Sequence, residues 1–286
     1  MKQVYFDRNV FADIYGLRRG LTESDVMKLQ NAVDTGAIVI PASYTVIEET
    51  VSLLRDRGEE EYKAQMRSVL NLIDKTRMVK AHHELIRDDL LSFAYQRSFV
   101  RTTAVPENFE RILDLSIDPN GVQELAEEIR AFYDHAATKR QKDFDRLIAE
   151  TTEKGFTGFN DFPTAWAIAA PIIVDSLVSR LPREAKRLCK KHGLGNLLNI
   201  KSIGMAVTYE SWLLYSHWLR GDGSRGKVKA SEQGDFFHAI SASAADIFVT
   251  EEHKEKYGRL PYILSQVPIK RLTIMNLKEL LHTLTS

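Results

Sequence analysis

The sequence predicts an α/β fold: a parallel sheet flanked by helices, interrupted by a large all-α insertion. Three observations predict it. Residues 3–57 alternate strand, helix, strand, helix. Residues from about 59 to 220 carry long amphipathic patterns of helical period. The strand and helix alternation then resumes at 235 and runs to the end. The division that follows makes 1–57 and 232–286 one discontinuous α/β domain and 58–231 a helical insertion.

The elements follow in order. "QVYFD" (3–7) is a short run of β-branched and aromatic residues, which predicts a strand. A helix is expected from Val10 to Tyr15. Thr22 has the chemistry of an N-cap for the next helix, whose apolar positions fall at 26, 29 and 33 before a glycine stop at 36. "AIVIP" (37–41) predicts the second strand, ended by proline, and Ser43 opens the helix "SYTVIEETVSLLRDRG". In the middle, "EEYKAQMRSVLNLIDKT" and the long stretch from Val122 to Gly155 predict helices. "RMVKA" (77–81) predicts a small strand, and "AVPENF" and "SIDPNG" mark turns. "PTAWAIAAPIIVDSLVSRL" is interrupted by Pro171, Asp175 and Arg180, so it reads as a buried helix and not a membrane span. "RGDGSRGKVKASEQG" (220–234) reads as a basic, glycine-rich loop. Asp235 is expected to open a helix of small and apolar residues leading to the strand "DIFVT"; one more strand and a closing helix end the chain.

Composition narrows the function classes. Hydrophobic content is 44% and charged content 27%, as in ordinary globular proteins. Lys and Arg number 39 and so do Asp and Glu, so nucleic-acid binding would have to rest on local basic patches. The single cysteine, Cys189, excludes an intrachain disulfide and fits a cytoplasmic protein. The N-terminal apolar run is short and ends in charge, unlike a signal peptide, and no membrane association is expected.

Ligands of open parallel sheets bind beyond the carboxyl ends of the strands. The acids expected there are Asp7, Glu48 or Glu49, Asp235, and Glu251 or Glu252. Several carboxylates share a small site only when a cation neutralises them, and hard ions such as Mg²⁺ or Mn²⁺ take oxygen ligands of this kind. Such an ion can acidify a water and offset charge on a phosphoryl group, which makes phosphodiester hydrolysis the expected chemistry. Each acid also has a plain explanation, as a solvated loop or helix residue, and the expectation rests on their falling at one edge.

These residues resemble the PIN domain, a family of metal-dependent nucleases, over about 1–57 and 232–284. "VYFDRNVF" is similar to the family's opening strand with its Asp-x-Asn. The resemblance implies Asp7 as a metal ligand and Asn9 as a supporting hydrogen-bonding residue. "IPASYTVIEET" resembles the second element, where the spacing from Ser43 favours Glu49 over Glu48. "GDFFHAISASAADIFVTEE" resembles the family's third motif and implies Asp235 as a carboxylate ligand and Thr250 as a site-lining hydroxyl. The fourth acid departs from the pattern: Glu252 stands where the family has Asp, and Glu251 competes with it. Asp246 starts the strand, away from the metal edge, and reads as structural.

The resemblance implies a Mg²⁺- or Mn²⁺-dependent endoribonuclease acting on single-stranded or structured RNA. It would be either toxin-like, with an antitoxin or other protein partner, or RNA-processing. The residues themselves do not choose RNA over DNA. Arg220, Arg225, Lys227 and Lys229 precede Asp235 and are candidate phosphate contacts. Arg183, Lys186, Arg187, Lys190 and Lys191 form a weaker basic cluster. The insertion implies a substrate clamp or a partner-docking surface. The aromatic stretch "TYESWLLYSHWLRG" reads mainly as core and His82–His83 as no metal site; His238, one turn beyond Asp235, is within reach of the site but reads first as a packed or hydrogen-bonded histidine. The alternative is a catalytically inactive PIN-like module that binds RNA or a protein. A dehalogenase-like phosphatase ranks last, because its chemistry needs Asp where Asn9 stands.

Overall fold

The computed structural model describes residues 2–113, 119–153, 158–219, 228–251, 259–268 and 272–284. The chain begins with β1 (Lys2–Phe6), α1 (Arg8–Tyr15) and α2 (Glu23–Asp34). Thr22 caps α2 as expected: its hydroxyl accepts from the Asp25 N–H, and the Asp25 carboxylate answers the Thr22 N–H.

The second strand is broken. Residues 38–43 form β2 (Ile38–Val39) and β3 (Pro41–Ser43), which serve different neighbours. β2 pairs parallel with β1, whereas β3 pairs parallel with β4 (Asp74–Val79). Pro41 has no N–H to give the ladder and stands where the pairing changes hands. The proline therefore redirects the strand, where the sequence suggested that it ends it.

β1 is flanked on its other side by β6 (Ile247–Val249), and β6 by β7 (Thr273–Met275), all parallel. The four-stranded order is β2-β1-β6-β7, so the centre of the sheet joins strands from opposite ends of the chain. Asp246 anchors that junction. Its carboxylate accepts from the Gln3 N–H at 2.9 Å and its own N–H donates to the Gln3 carbonyl, at the end of β1 remote from Asp7.

The segment 58–231 is not wholly helical. It holds α4 (Glu59–Leu72), β4, α5 (His82–Tyr95), β5 (Thr102–Thr103), α6 (Glu107–Leu113) and α7 (Pro119–Glu153). α8 (Phe162–Ser179), α9 (Arg183–His192), a 3₁₀ turn at Leu194–Asn199 and α10 (Lys201–Leu219) follow. β4 overlaps the strand expected at 77–81 only at 77–79, beginning and ending earlier, and β5 pairs antiparallel with it. α3 (Tyr44–Arg57) and α11 (Ala230–Ala242) complete the packing around the sheet, and α12 (Leu260–Ser265) and α13 (Leu277–Leu284) close the chain.

One apolar cluster runs from the sheet residues Val4, Phe6, Ile40 and Val249 into Met66, Val69, Ile112 and Trp212. A smaller one lies under α5, α8 and α9 and contains Cys189, whose burial raises its pKa. That thiol is packed, as expected. The aromatics of α10 are mostly core: Tyr209, Trp212 and Tyr215 are buried.

α8 is apolar and long enough to cross a membrane by length and composition, with a mean hydropathy of 1.4. It is not the fully buried helix the sequence suggested. Ala165, Ala169, Val174 and Val178 pack inward, while Ile168 and Ile172 face outward.

Candidate metal centre

The cluster is built from three elements. Asp7 follows β1 and caps α1, so its backbone is still in the sheet: its N–H donates to the Val249 carbonyl at 3.0 Å. Each carboxylate oxygen has its own donor. Oδ1 accepts from the Asn9 N–H at 3.2 Å, and Oδ2 accepts from Thr250 Oγ1 at 3.1 Å. Asn9 thus supports Asp7 through its backbone; its side chain is exposed and accepts from Arg8. Thr250, the hydroxyl residue named from the resemblance, stands against Asp7.

Glu49 comes from the second turn of α3. Adjacent residues on a helix point about 100° apart, which separates the two candidate acids. Glu49 turns to His238 and Arg8, with Oε2 at 3.1 Å from Nε2 and 3.6 Å from the Arg8 guanidinium. Glu48 turns to α7 and accepts from the Tyr133 hydroxyl at 3.1 Å. Burial raises the pKa of Glu48 from 4.5 to about 7. Burial also opposes ionisation of Glu49, but His238 and Arg8 outweigh it and hold that carboxyl below its usual range.

His238 is the third member, on α11. Ligand atoms of Asp7, Glu49 and His238 all lie within 4.8 Å of one another. Nδ1 of His238 meets the Tyr5 hydroxyl at 2.7 Å, and that hydroxyl meets Ser43 Oγ at 3.1 Å. Ser43 therefore spends its hydroxyl on this relay, although it stands at the N-cap of α3. Burial opposes protonation of the imidazole, yet Tyr5, Glu49 and Asp7 hold its pKa well above the ordinary value. Without a metal, a protonated His238 together with Arg8 offsets the charge of the two carboxylates. From the sequence this histidine reads as packed or hydrogen-bonded in preference to a site contact. The available signal was its position one turn beyond Asp235 and four residues beyond Gly234.

Gly234 matters for a steric reason. A Cβ at this position would sit 2.6 Å from Glu49 Oε1. Only a glycine lets the Glu49 carboxylate approach α11 so closely.

Asp235 does not open its helix. α11 begins at Ala230, which puts Asp235 on the second turn. It lines the same cleft but is not a member of the three-residue cluster, and its carboxylate accepts from the Tyr209 hydroxyl at 3.3 Å. Glu251 also lines the cleft, where Oε1 accepts from the Leu277 N–H at 2.9 Å. Glu252, Arg220, Arg225 and Lys227 lie outside the described residues. Lys229 is exposed at the N-cap of α11, where its N–H donates to Glu232.

The cluster opens on a cleft of about 960 Å³. Its walls include Arg8, Arg18, Arg19, Arg55, Arg57, Arg130 and Arg259, mixed with acids such as Asp13 and Glu61. Arg19 pairs with Asp13 and Arg130 with Asp134. Arg18, Arg55 and Arg57 are exposed and make no ion pair with a described residue. The long helix α7 contributes Ile129, Arg130 and Tyr133, so the middle of the chain forms one wall of the cleft. The five cations of the 183–193 stretch lie on α9, which contributes no residue to the cleft. His82 also stands apart, stacked on Phe237 at 3.9 Å, with burial lowering its pKa to about 3.

No protein-family model matches this chain, and no curated protein and no solved structure matches it either.

Proposed function

We propose that this protein is a metal-dependent nuclease of PIN-like architecture, hydrolysing phosphodiester bonds and acting as an endoribonuclease, in a toxin-like or an RNA-processing role. The observation that carries the reading is the convergence of Asp7, Glu49 and His238 at the carboxyl edge of a parallel sheet. The donor set fits a divalent cation. Two carboxylates in such proximity need a positive partner, and the third donor is a buried imidazole nitrogen without a well-directed hydrogen bond. When bound, a cation such as Mg²⁺ or Mn²⁺ would supply electrophilic stabilisation and acidify a water.

The protein's own residues supply the rest. Thr250 and the Asn9 N–H hold the two oxygens of Asp7 in a fixed plane. Gly234 gives Glu49 room. Asp235, lining the same cleft without joining the cluster, is placed to orient a water or a second cation. Arg18, Arg55 and Arg57 give a polyanionic strand charged contacts along the wall, although the chain as a whole is neutral. RNA is the substrate that the resemblance implies. A cytoplasmic location and an antitoxin or other protein partner belong to the same reading.

A second reading has its own support. Glu49 is already neutralised by His238 and Arg8, so the cluster is balanced without an ion. A catalytically inactive module binding RNA or a protein would look the same. Cleavage of single-stranded and structured RNA, with DNA controls, separates the two. Asp7→Asn should abolish Mg²⁺- or Mn²⁺-dependent cutting, and EDTA should abolish it in the wild type. A folded wild type that cuts none of these substrates in either ion would overturn the nuclease.

A further inference from the structure

We propose that His238 Nε2 is itself a metal ligand, so that the centre is a two-carboxylate, one-imidazole site that selects a first-row transition dication over Mg²⁺. The inference rests on the metal centre of the nuclease reading but changes its chemistry: a purely carboxylate site suits Mg²⁺, and an imidazole does not.

Three observations carry it. The first is the geometry of the ring. His238 is 5% exposed, and its Nε2 has no hydrogen-bond partner of acceptable geometry. The Glu49 oxygen at 3.1 Å meets it as a close charge contact. A buried polar atom left in that condition is uncommon and calls for a partner.

The second is what holds the other nitrogen. Metal-ligating histidines characteristically donate their remaining N–H to a fixed acceptor, which sets the tautomer and the ring plane. Here Nδ1 lies 2.7 Å from the Tyr5 hydroxyl, and Ser43 Oγ stands 3.1 Å further on to receive the tyrosine proton. In the proposed metal-bound form Nδ1–H donates to Tyr5 and Tyr5 to Ser43, which leaves the lone pair on Nε2, the atom facing the carboxylates.

The third is the reach of the set. The three ligand atoms lie within 4.8 Å of one another, a spread that ligand bonds of about 2.0–2.2 Å can bridge with small side-chain movements. Asp7 and His238 are both buried while Glu49 is half-buried, so the ion's remaining positions face the cleft.

The test uses the full chain, freed of metal, with Mn²⁺ and Mg²⁺ as the probes. Titration calorimetry should give Mn²⁺ an affinity at least about tenfold above that of Mg²⁺. Electron spin-echo envelope modulation of the bound Mn²⁺ should show coupling to a directly bonded ¹⁴N. His238→Gln, checked for folding by circular dichroism, should lose that coupling and weaken Mn²⁺ binding by about tenfold or more, leaving Mg²⁺ binding within about threefold. Tyr5→Phe should keep the coupling and weaken Mn²⁺ less, since it removes only the orienting bond. Bound Mn²⁺ without nitrogen coupling would overturn the inference, as would a His238→Gln protein that binds Mn²⁺ like the wild type or a wild type that binds no Mn²⁺. The two readings fail separately. RNA cleavage with no nitrogen coupling sinks the histidine ligand and leaves the nuclease. A nitrogen-coupled Mn²⁺ with no cleavage does the reverse.

Discussion

Glu48 offers a direct test of the electrostatics around the cluster. Replacing it with Gln keeps an acceptor for the Tyr133 hydroxyl and removes the charge. The carboxyl is half-buried beside Glu49, and burial lifts its pKa from 4.5 to about 7. At about 1.4 kcal/mol for each tenfold change in proton affinity, full ionisation costs the folded state about 3.5 kcal/mol. Partial contact with water lowers the expected figure to about 1–3 kcal/mol. The sign follows from the direction. The folded state holds this proton more tightly than the unfolded chain, so the contribution is fully favourable below pH 4.5 and is lost as pH rises through about 7. The stability of Glu48→Gln relative to wild type should therefore be constant below pH 4.5, rise between there and pH 7, and level off above it. Urea unfolding in EDTA at a series of pH values measures this. A difference that stays flat from acid to pH 8 would refute the buried, proton-holding Glu48.

Two further substitutions probe the supports of the site. Gly234→Ala places a methyl against the Glu49 carboxylate, the free end of a flexible side chain, so the carboxylate should swing aside and the fold should survive. Thermal melts should change little, because Ala also favours the helix by about 1 kcal/mol, while Mn²⁺ titration should show a loss of affinity of about tenfold. Thr250→Val keeps the shape and removes the donor to Asp7 Oδ2. It should cost about 1–3 kcal/mol in denaturant unfolding and slow RNA cleavage, with the greater effect on cleavage.

The parts of the site that were legible in the sequence are those whose position follows from local rules. Asp7 is the residue at which an apolar strand stops, whereas Thr250 comes only from the resemblance. Glu49 could be favoured over Glu48 only through the resemblance, because nothing local says which of two adjacent residues faces a neighbouring helix. The deciding neighbours are His238, 189 residues away, and Tyr133 on α7, 85 residues away. His238 ranks only second as a site residue in the sequence for the same reason. Its orienting partner Tyr5 is 233 residues distant, and a strand tyrosine facing the core gives no sign that its hydroxyl is engaged. Asp235 was misplaced because a helix start was sought at the acid, whereas Lys229 and Glu232 form the actual entry. Pro41 was recognised as an interruption, but that the strand resumes beyond it depends on β4 being there to pair with.

The position of β1 between β2 and β6 bears on how the protein is made. Val4, Tyr5 and Phe6 pair with Ile247, Phe248 and Val249, so one edge of β1 has no native partner until the ribosome has added more than 240 residues. At about 5–20 residues per second, that interval is roughly 10–50 s. During it the growing chain carries an open, apolar strand edge, the kind of template that invites pairing with another chain. The donor to Asp7 Oδ2 arrives in the same late stretch of synthesis, 243 residues after its acceptor. A nascent polypeptide therefore cannot assemble the centre while it is still tethered short of residue 250, and whatever the finished site does waits for that residue to be made.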